Sequence, residues 1–270
     1  MTEQLTRRPG PTVRVRVTEA DRTREDRVVT EEPLEIRLAW PGAPARRVWV
    51  TMRTPGHDFE LAAGWVRHEG VAESVGRVAY CTDATLAPEQ EFNVVTVTLD
   101  GPPAALPQQD AALSAGSSAC GVCGSDSVTG ALATPTRRPW SGRLPADDVV
   151  QVLPDRLRER QKVFDRTGGV HAAGLATADG ELLVVREDVG RHNAVDKVTG
   201  ARLLAGEPVA DACLVVSGRV GFELVQKAVA AGTGSLVAVG APTSLAVDLA
   251  RRAGLALYGF VRDDRAVRYC

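Results

Sequence analysis

Short apolar runs alternate with helical segments throughout the second half of the chain, and this pattern constrains the fold more than any other. The predicted strands are Leu182–Val185, Leu214–Ser217, Leu236–Val239 and Leu255–Phe260, and the predicted helices are Val149–Phe164, Ala194–Ala205, Phe222–Ala231 and Leu245–Ala253. Strands and helices joined by short connections are typical of a layered α/β domain. We therefore predict an α/β domain over residues 148–270.

The first part of the chain is richer in strands. Val13–Val17 and Phe92–Leu99 alternate with period two, Leu34–Leu38 and Val48–Met52 look like further strands, and Asp58–Glu69 has helical spacing. These features predict a smaller α+β part over residues 13–100, with antiparallel character. The polar residues 1–12 are predicted to form a disordered tail.

Residues 101–147 break both patterns. Pro, Ala, Gly and Ser dominate this stretch, and its hydrophobic periodicity is lost. A stretch of this length without regular elements is usually a functional loop or a linker. Cys120 and Cys123 lie in its middle, so we predict a long flexible loop that carries the cysteine pair between the two parts.

Charge and hydropathy exclude some classes of function. The chain has 270 residues, a formal net charge of −2 and a pI of about 6.1, which argues against a general electrostatic hold on nucleic acid or on an anionic membrane. No apolar stretch approaches the roughly 18 residues that cross a bilayer. The polar segment Met1–Val13 does not resemble a secretory signal. We expect a cytoplasmic protein.

The cysteine content argues against a disulfide scaffold. Five cysteines are present, an odd number, and they include a single close pair. Cys213 lies in the apolar run Ala212–Val216 and is predicted to be a buried core residue. Cys81 and Cys270 are isolated, and the sequence assigns them no role.

Metal-based interpretations of the Cys120–Cys123 pair lack partners. A structural zinc site needs four ligands, usually two close pairs, whereas the chain offers one pair and four scattered histidines. A zinc deaminase combines an H-x-E element with a later P-C-x-x-C. Here His171 is followed by two alanines, and the thiols precede the histidine. We therefore predict no metal site, although a mixed site and a deaminase-like sheet without deaminase catalysis remain open.

Two thiol-based interpretations remain. In a thioredoxin-like dithiol, the pair follows a strand and opens a helix, but here Ser, Ala and Gly surround it. In a sulfur relay, an exposed thiolate accepts the outer sulfur of a donor persulfide and delivers it to an acceptor. Gly121 and Gly124 give the backbone freedom for this movement, and a neighbouring thiol can release the sulfur by exchange. The Gly- and Ser-rich surroundings favour the relay.

The second half also contains polar loops at strand-to-helix junctions. The segment Arg186–Lys197 holds eight polar or charged residues, and Ser217–Gly221 and Pro242–Ser244 each lie between a strand and a helix. Helix N-termini that follow strands offer free N–H groups to anions. The run Gly259–Arg265 adds an aromatic ring, two arginines and carboxylates, a set that suits a phosphorylated ring system. We interpret these loops as the rim of a site for a large anionic ligand, although a solvated helix start capped by Asp188 or Asn193 would also explain Arg186–Lys197.

Taken together, the motifs of this chain resemble those of the FdhD family. The matching segments are Thr54–Gly70, Cys120–Gly124, Gly169–Gly174, Arg186–Gly200, Ser217–Arg219 and Pro242–Ala250. They extend over nearly the whole chain beyond the N-terminal tail. The segment Arg186–Gly200 is the most diagnostic of them.

The resemblance implies a function. Members of this family accept sulfur from a cysteine desulfurase and pass it to the molybdenum cofactor that carries two molybdopterin guanine dinucleotides, as formate dehydrogenase requires. The resemblance implies Cys120 as the persulfide residue with Cys123 as its partner, a deaminase-like fold and a homodimer. The cofactor-contact segment of the family corresponds to Phe260, Val261, Arg262, Asp263, Asp264 and Arg265.

The residue patterns and the family resemblance lead to the same prediction. Cys120 and Cys123 are the predicted catalytic residues of a sulfurtransferase. The predicted cofactor-binding residues outside the C-terminal segment are Ser217, Arg219, Thr243, His192 and Asn193. The alternative is a non-catalytic chaperone that binds and delivers the cofactor and uses the cysteines as a redox latch.

Overall fold

The computed structural model describes residues 8–82, 86–87, 90–106, 140–263 and 265–270, which form twelve strands and six helices. The strands are β1 Thr12–Glu19, β2 Arg22–Val29, β3 Glu32–Trp40, β4 Ala43–Arg53, β5 Arg77–Tyr80, β6 Val94–Thr98, β7 His171–Ala176, β8 Leu182–Asp188, β9 Cys213–Val216, β10 Ser235–Ala238, β11 Ala256–Arg262 and β12 Arg265–Arg268. The helices are α1 Asp58–His68, α2 Asp147–Arg158, α3 Lys162–Thr167, α4 Arg191–Leu204, α5 Phe222–Ala231 and α6 Ser244–Ala253. Within those residues, no helix has the length and apolarity needed to cross a bilayer.

A six-stranded sheet forms the centre of the second half, in the order β12-β11-β10-β9-β7-β8. Strands β9, β10 and β11 are parallel, whereas β7 is antiparallel to both of its neighbours and β12 is antiparallel to β11. The carboxyl ends of β8, β9, β10 and β11 therefore meet at one edge of the sheet. We call this edge, with the loops that follow these four strands, the carboxyl edge.

Alternation along each strand produces two cores, one on each face of this sheet. On β9, Leu214 and Val216 pack toward α4, α5 and α6, while Cys213 and Val215 pack toward α2. Side chains on a strand point to opposite faces in turn, so a continuous apolar strand buries both faces. The second half is thus a sheet between two helical layers.

The first part contains a four-stranded sheet in the order β4-β3-β6-β5. Its apolar face packs against α1, and Trp49 of β4 stacks on Trp65 of α1 with ring centroids 5.2 Å apart. Strands β1 and β2 form a separate hairpin. A Cβ on Gly169 would lie 3.0 Å from Val29, so this glycine allows the hairpin to approach the second half.

Helices α1 and α4 join the two parts at a close crossing. A Cβ on Gly64 of α1 would lie 1.9 Å from the carbonyl oxygen of Asp196, and one on Gly200 of α4 would lie 1.8 Å from that of Glu60. Real Cβ atoms do not approach other atoms so closely, so only glycine permits this backbone contact. The crossing brings the two sheets into one packed body.

Most predicted elements of the second half are confirmed, with three differences. The predicted helix Val149–Phe164 is two helices, α2 and α3, because the Glu187 carboxylate accepts the N–H groups of Val163 and Phe164 at 2.8 Å and fixes a second helix start. Strand β7 was missed because its sequence, His171–Ala176, is rich in alanine and its place between β8 and β9 is set by tertiary pairing. Strand β12 was not predicted either, and in the first part of the chain β2 and β5 were also missed.

Gly64→Ala is expected to destabilise the fold by about 3 kcal/mol or more, because overpacking against backbone atoms cannot relax by rotation of a side chain. Urea denaturation followed by circular dichroism measures this change. Gly101→Ala is the matched control, since nothing lies within 4 Å of its Cβ position. Equal denaturation midpoints for Gly64→Ala and wild type would contradict the close crossing.

Candidate functional site

Three loops interlock at the carboxyl edge. The N–H of Val220 donates to the carbonyl of Ala241 at 3.1 Å, and the N–H of Thr243 donates back to the carbonyl of Val220 at 3.0 Å. The N–H of Phe260 donates to the carbonyl of Gly240 at 3.1 Å. These bonds connect the loops after β9 and β10 to the end of β11, so the structure brings three of the predicted ligand segments together.

Helices α4, α5 and α6 all begin at this edge. The residues at the N-caps of α4 and α5 are Gly190 and Gly221, which have no side chain to cap the first turn. Thr243 caps α6, since its Oγ1 accepts the N–H of Ala246 at 3.3 Å. The first-turn N–H groups of a helix carry partial positive charge, which makes the starts of α4 and α5 suitable for an anion.

Ser217 and Arg219 lie in the loop after β9. The hydroxyl of Ser217 accepts the N–H of Ala172 at 2.9 Å, and this bond ties the loop to β7. Arg219 is exposed and its side chain extends from the same loop. Both residues, like Thr243, are therefore at the carboxyl edge, while their contact with a ligand stays a prediction.

The end of β11 has an unusual backbone. Phe260 has φ of 53°, in the left-handed region, where the pairing of β11 with β12 shifts register. The guanidinium of Arg265 lies 4.8 Å from the centroid of the Phe260 ring. Arg262 and Asp263 are exposed, whereas the side chain of Val261 is 0% exposed and belongs to the core. The predicted contact of Val261 with the cofactor stays a prediction, and Asp264 lies outside the described residues.

Much of the segment Arg186–Lys197 is buried at the junction of the two parts. Lys197 Nζ lies 2.6 Å from Asp188 Oδ2 and donates to the carbonyl of Thr54 at 2.8 Å. Asn193 donates to the carbonyl of Met52 at 2.8 Å and to Asp188 at 3.2 Å. This part of the segment is therefore not a solvated helix start. The amide of Asn193 is already engaged, and its predicted contact with the cofactor stays a prediction.

His192 opens a second buried group of charges between α4, α5 and α1. Its Nε2 lies 3.1 Å from Glu223 Oε2 at the start of α5. Deeper in the same region, Asp196 Oδ1 lies 2.5 Å from His68 Nδ1 and 2.7 Å from Lys227 Nζ. Like Asn193, His192 is mostly buried, so its role as a ligand contact is also untested.

These buried groups change one another's protonation. Burial lowers the pKa of His68, which therefore donates from Nδ1 to Asp196 as a neutral ring. Burial alone would raise the pKa of Asp196, but the charge of Lys227 and the His68 hydrogen bond outweigh it, so this pKa is lowered. Burial by itself would lower the pKa of Lys227, but the charges of Asp196 and neighbouring carboxylates outweigh burial, so this pKa is raised. The group is thus held as one ion pair beside a neutral imidazole.

The predicted catalytic residues Cys120 and Cys123 lie outside the described residues. Cys213 is fully buried, as predicted, and burial raises the pKa of its thiol to about 12. It therefore remains a thiol at neutral pH. In the part of the chain that the structure describes, no three His, Cys, Asp or Glu side chains are grouped so that they could hold a metal ion.

The structure adds His171 to the carboxyl edge, and it singles out Arg191 within the segment Arg186–Lys197 that the sequence analysis interpreted as part of a ligand rim. His171 pairs in register with Asp188, so it lies where β8 ends. Arg191 is the first residue of α4. The sequence placed both near polar loops, but it could not show that the start of β7 lies beside the loop after β9, because that follows from the antiparallel pairing of these strands.

The fold and this edge define a mixed α/β protein in which one sheet edge gathers three helix starts and several cationic side chains. Residues 29–270 match the family model described as the FdhD/NarQ family. The chain is therefore a member of the FdhD/NarQ family.

Relatives from several bacteria are similar over most of their length. The chain is 49% identical over 257 residues to the sulfur carrier protein FdhD of Corynebacterium efficiens, covering 92% of this chain and 90% of that protein. It is 45% identical over 262 residues to the sulfur carrier protein FdhD of Mycobacterium tuberculosis, covering 93% of each. A crystal structure described as a formate dehydrogenase accessory protein from Desulfotalea psychrophila superposes with a TM-score of 0.69, covering 96% of this chain and 95% of that one. At 22% identity, this likeness concerns the fold alone.

The carboxylate of Glu60 also joins the two parts, and its titration can be tested. Arg186 donates to it at 2.5 and 2.7 Å, and His57 Nδ1 lies 3.0 Å away. Burial by itself raises the pKa of Glu60, but these partners outweigh burial and lower the pKa from 4.5 to about 2. A depressed carboxyl pKa contributes stability above the unfolded-state pKa, and this stability is lost as the pH falls through the folded-state value.

Glu60→Gln is therefore expected to lower the free energy of unfolding above pH 5, with a difference from wild type that shrinks between pH 4.5 and pH 2. Urea denaturation over this pH range measures both quantities. Glu25→Gln is the control, because Glu25 forms an exposed pair with Arg14 at 3.3 Å and such pairs contribute about 0–1 kcal/mol. A difference for Glu60→Gln that does not change with pH would contradict the assigned pKa.

Proposed function

We propose that this protein is a sulfur carrier that takes persulfide sulfur from a cysteine desulfurase and passes it to the molybdenum cofactor bearing two molybdopterin guanine dinucleotides, as formate dehydrogenase activity requires. The observation that carries the proposal is the family membership, with relatives 45% and 49% identical that are named sulfur carrier protein FdhD. The carboxyl edge, with its interlocked loops and cationic side chains, supports it independently.

The residues of the carboxyl edge fit a guanine dinucleotide, which is the anionic part of the proposed acceptor cofactor. Arg219, Arg262 and Arg265 supply guanidinium groups, which pair with phosphates in planar geometry. The uncapped starts of α4 and α5 supply N–H donors. The Phe260 ring, beneath the Arg265 guanidinium, offers a surface for a guanine base. Together these groups match a ligand that combines phosphates with a flat ring.

The proposed sulfur chemistry uses Cys120 and Cys123. The Cys120 thiolate attacks the outer sulfur of the donor persulfide, the donor S–S bond breaks, and the donor leaves as a thiolate. Cys120 then carries the added sulfur as a persulfide. Attack by the Cys123 thiolate on the inner sulfur of Cys120 forms a Cys120–Cys123 disulfide and releases hydrosulfide to the acceptor. The two electrons that reduce the carried sulfur come from the dithiol.

Several finer features are proposed with this function. A deaminase-like layering is supported by the order β8-β7-β9-β10-β11 and by helices on both faces of that sheet. We also propose a cytoplasmic homodimer that works with formate dehydrogenase. The predicted limits of 13–100, 101–147 and 148–270 for the three regions stay predictions.

Incubation with a cysteine desulfurase and cysteine is expected to add one sulfur atom to the wild-type chain, in a form labile to reductant. Cys120→Ala is expected to abolish this gain, whereas Cys81→Ala, the matched control in the half-buried position after β5, retains it. Intact-protein mass spectrometry measures the masses. No gain in wild type, with an active desulfurase, would contradict the proposed carrier.

The chaperone alternative predicts a different pattern in cells. Cys120→Ala would then preserve most formate dehydrogenase activity in a strain whose own accessory gene is deleted. Sulfur relay predicts that the activity is lost while the variant still binds the cofactor. Activity assays of that strain with the wild-type, Cys120→Ala and Cys81→Ala genes therefore separate the two functions.

A further inference from the structure

Three cationic or titratable side chains converge on one place at the carboxyl edge. His171 begins β7 and lies against Gly218, where a Cβ would be 3.2 Å from the imidazole Nδ1. Arg219 follows in the same loop, and Arg191 opens α4. Both arginines interact electrostatically with His171. The three side chains come from three different segments of the chain and form what we call the His171 cluster.

Within the part of the chain that the structure describes, the carboxylate that acts on His171 is already engaged by other groups. Asp188 is the carboxylate that interacts with His171, yet it already lies 2.6 Å from Lys197 and accepts the N–H groups of Thr54 and Gly190. The Nε of Arg191 is buried and has no hydrogen-bond partner among the described residues. A buried polar atom without a partner carries a desolvation cost, which a bound anion would remove.

We propose that His171 and Arg191, together with Arg219, bind the pyrophosphate of the guanine dinucleotide. This assignment rests on the proposed function, and it adds two residues and a specific chemical group to it. A pyrophosphate presents adjacent charged oxygens that match two guanidinium groups and an imidazole. It would lie by the uncapped start of α4.

The protonation of His171 makes the subsite responsive to pH. Burial lowers the pKa of His171, and the charges of Arg191 and Arg219 lower it further, against the opposing charge of Asp188. The ring is therefore neutral at pH 8 and becomes charged as the pH falls. A bound anion favours the charged form, so by linkage the affinity for the anion rises as the pH falls.

Isothermal titration with GDP-mannose tests the subsite. This probe carries guanosine on a pyrophosphate diester, which does not titrate near neutral pH, whereas a terminal phosphate has a pKa near 6. Arg191→Gln is expected to weaken binding about tenfold or more at pH 8, because charged hydrogen bonds are lost. Arg251→Gln is the matched control, since Arg251 is exposed in the last turn of α6 and its removal leaves the affinity unchanged.

His171→Gln separates an electrostatic role from a structural one. Wild-type affinity is expected to rise about fivefold from pH 8 to pH 6. His171→Gln, which cannot gain the charge, is expected to bind within about twofold of wild type at pH 8 and to lose this rise. Circular dichroism confirms that each variant is folded.

Three outcomes would overturn the inference. They are absence of binding to wild type, wild-type affinity in folded Arg191→Gln, or an unchanged pH response in His171→Gln. Sulfur loading by a desulfurase, measured by mass in the same preparations, reports separately on the proposed function. If sulfur loading is normal and Arg191→Gln binds GDP-mannose like wild type, only the pyrophosphate subsite is rejected. If the Arg191 and His171 variants change binding as expected but the wild-type chain loads no sulfur, the carrier function is rejected and the subsite remains a nucleotide site.

Discussion

The buried ion pair between Lys197 and Asp188 is the interaction on which the arrangement of the two parts depends. Both side chains are at most 1% exposed, and each also bonds to the main chain of Thr54. A buried pair is weak as a source of stability, since desolvation offsets much of the attraction, but loss of one partner costs about 3–5 kcal/mol. The pair therefore holds the end of β4 and the start of α4 in one relative position.

This relative position also determines how the turn before α4 is held at the carboxyl edge. The Thr54 hydroxyl accepts the N–H of Val189 at 3.0 Å, and Asp188 accepts that of Gly190 at 2.8 Å. The turn that leads into α4 is thus held by the first part of the chain. Because the Gly64–Gly200 crossing fixes α4 along its length, the helix start has little freedom to move. The charges of Lys197 and Asp188 are thus paired in the interior, whereas Arg219 and Arg262 are exposed at the edge.

The sequence was sufficient for most of the second half but not for its junction with the first. Periodicity located β9, β10, β11 and their helices because local pattern and tertiary role coincide there. It could not show that Lys197 is buried at that junction, since a run of charges looks the same whether it meets solvent, a ligand or another part of the chain. Burial of Lys197 depends on Thr54, 143 positions away, and no local pattern reports such a partner. The resemblance to a family supplied what spacing could not, namely the predicted role of Cys120 and the proposed acceptor.

The central claim is that sulfur carried on this chain is the sulfur that reaches the cofactor. A single-turnover transfer tests it most directly. The protein is loaded with ³⁵S from labelled cysteine, separated from the desulfurase, and mixed with formate dehydrogenase that contains the sulfur-free cofactor. The account predicts that label moves to the cofactor in proportion to the formate oxidation activity that appears. Equal activation by unloaded protein, with the label retained on the chain, would contradict the account.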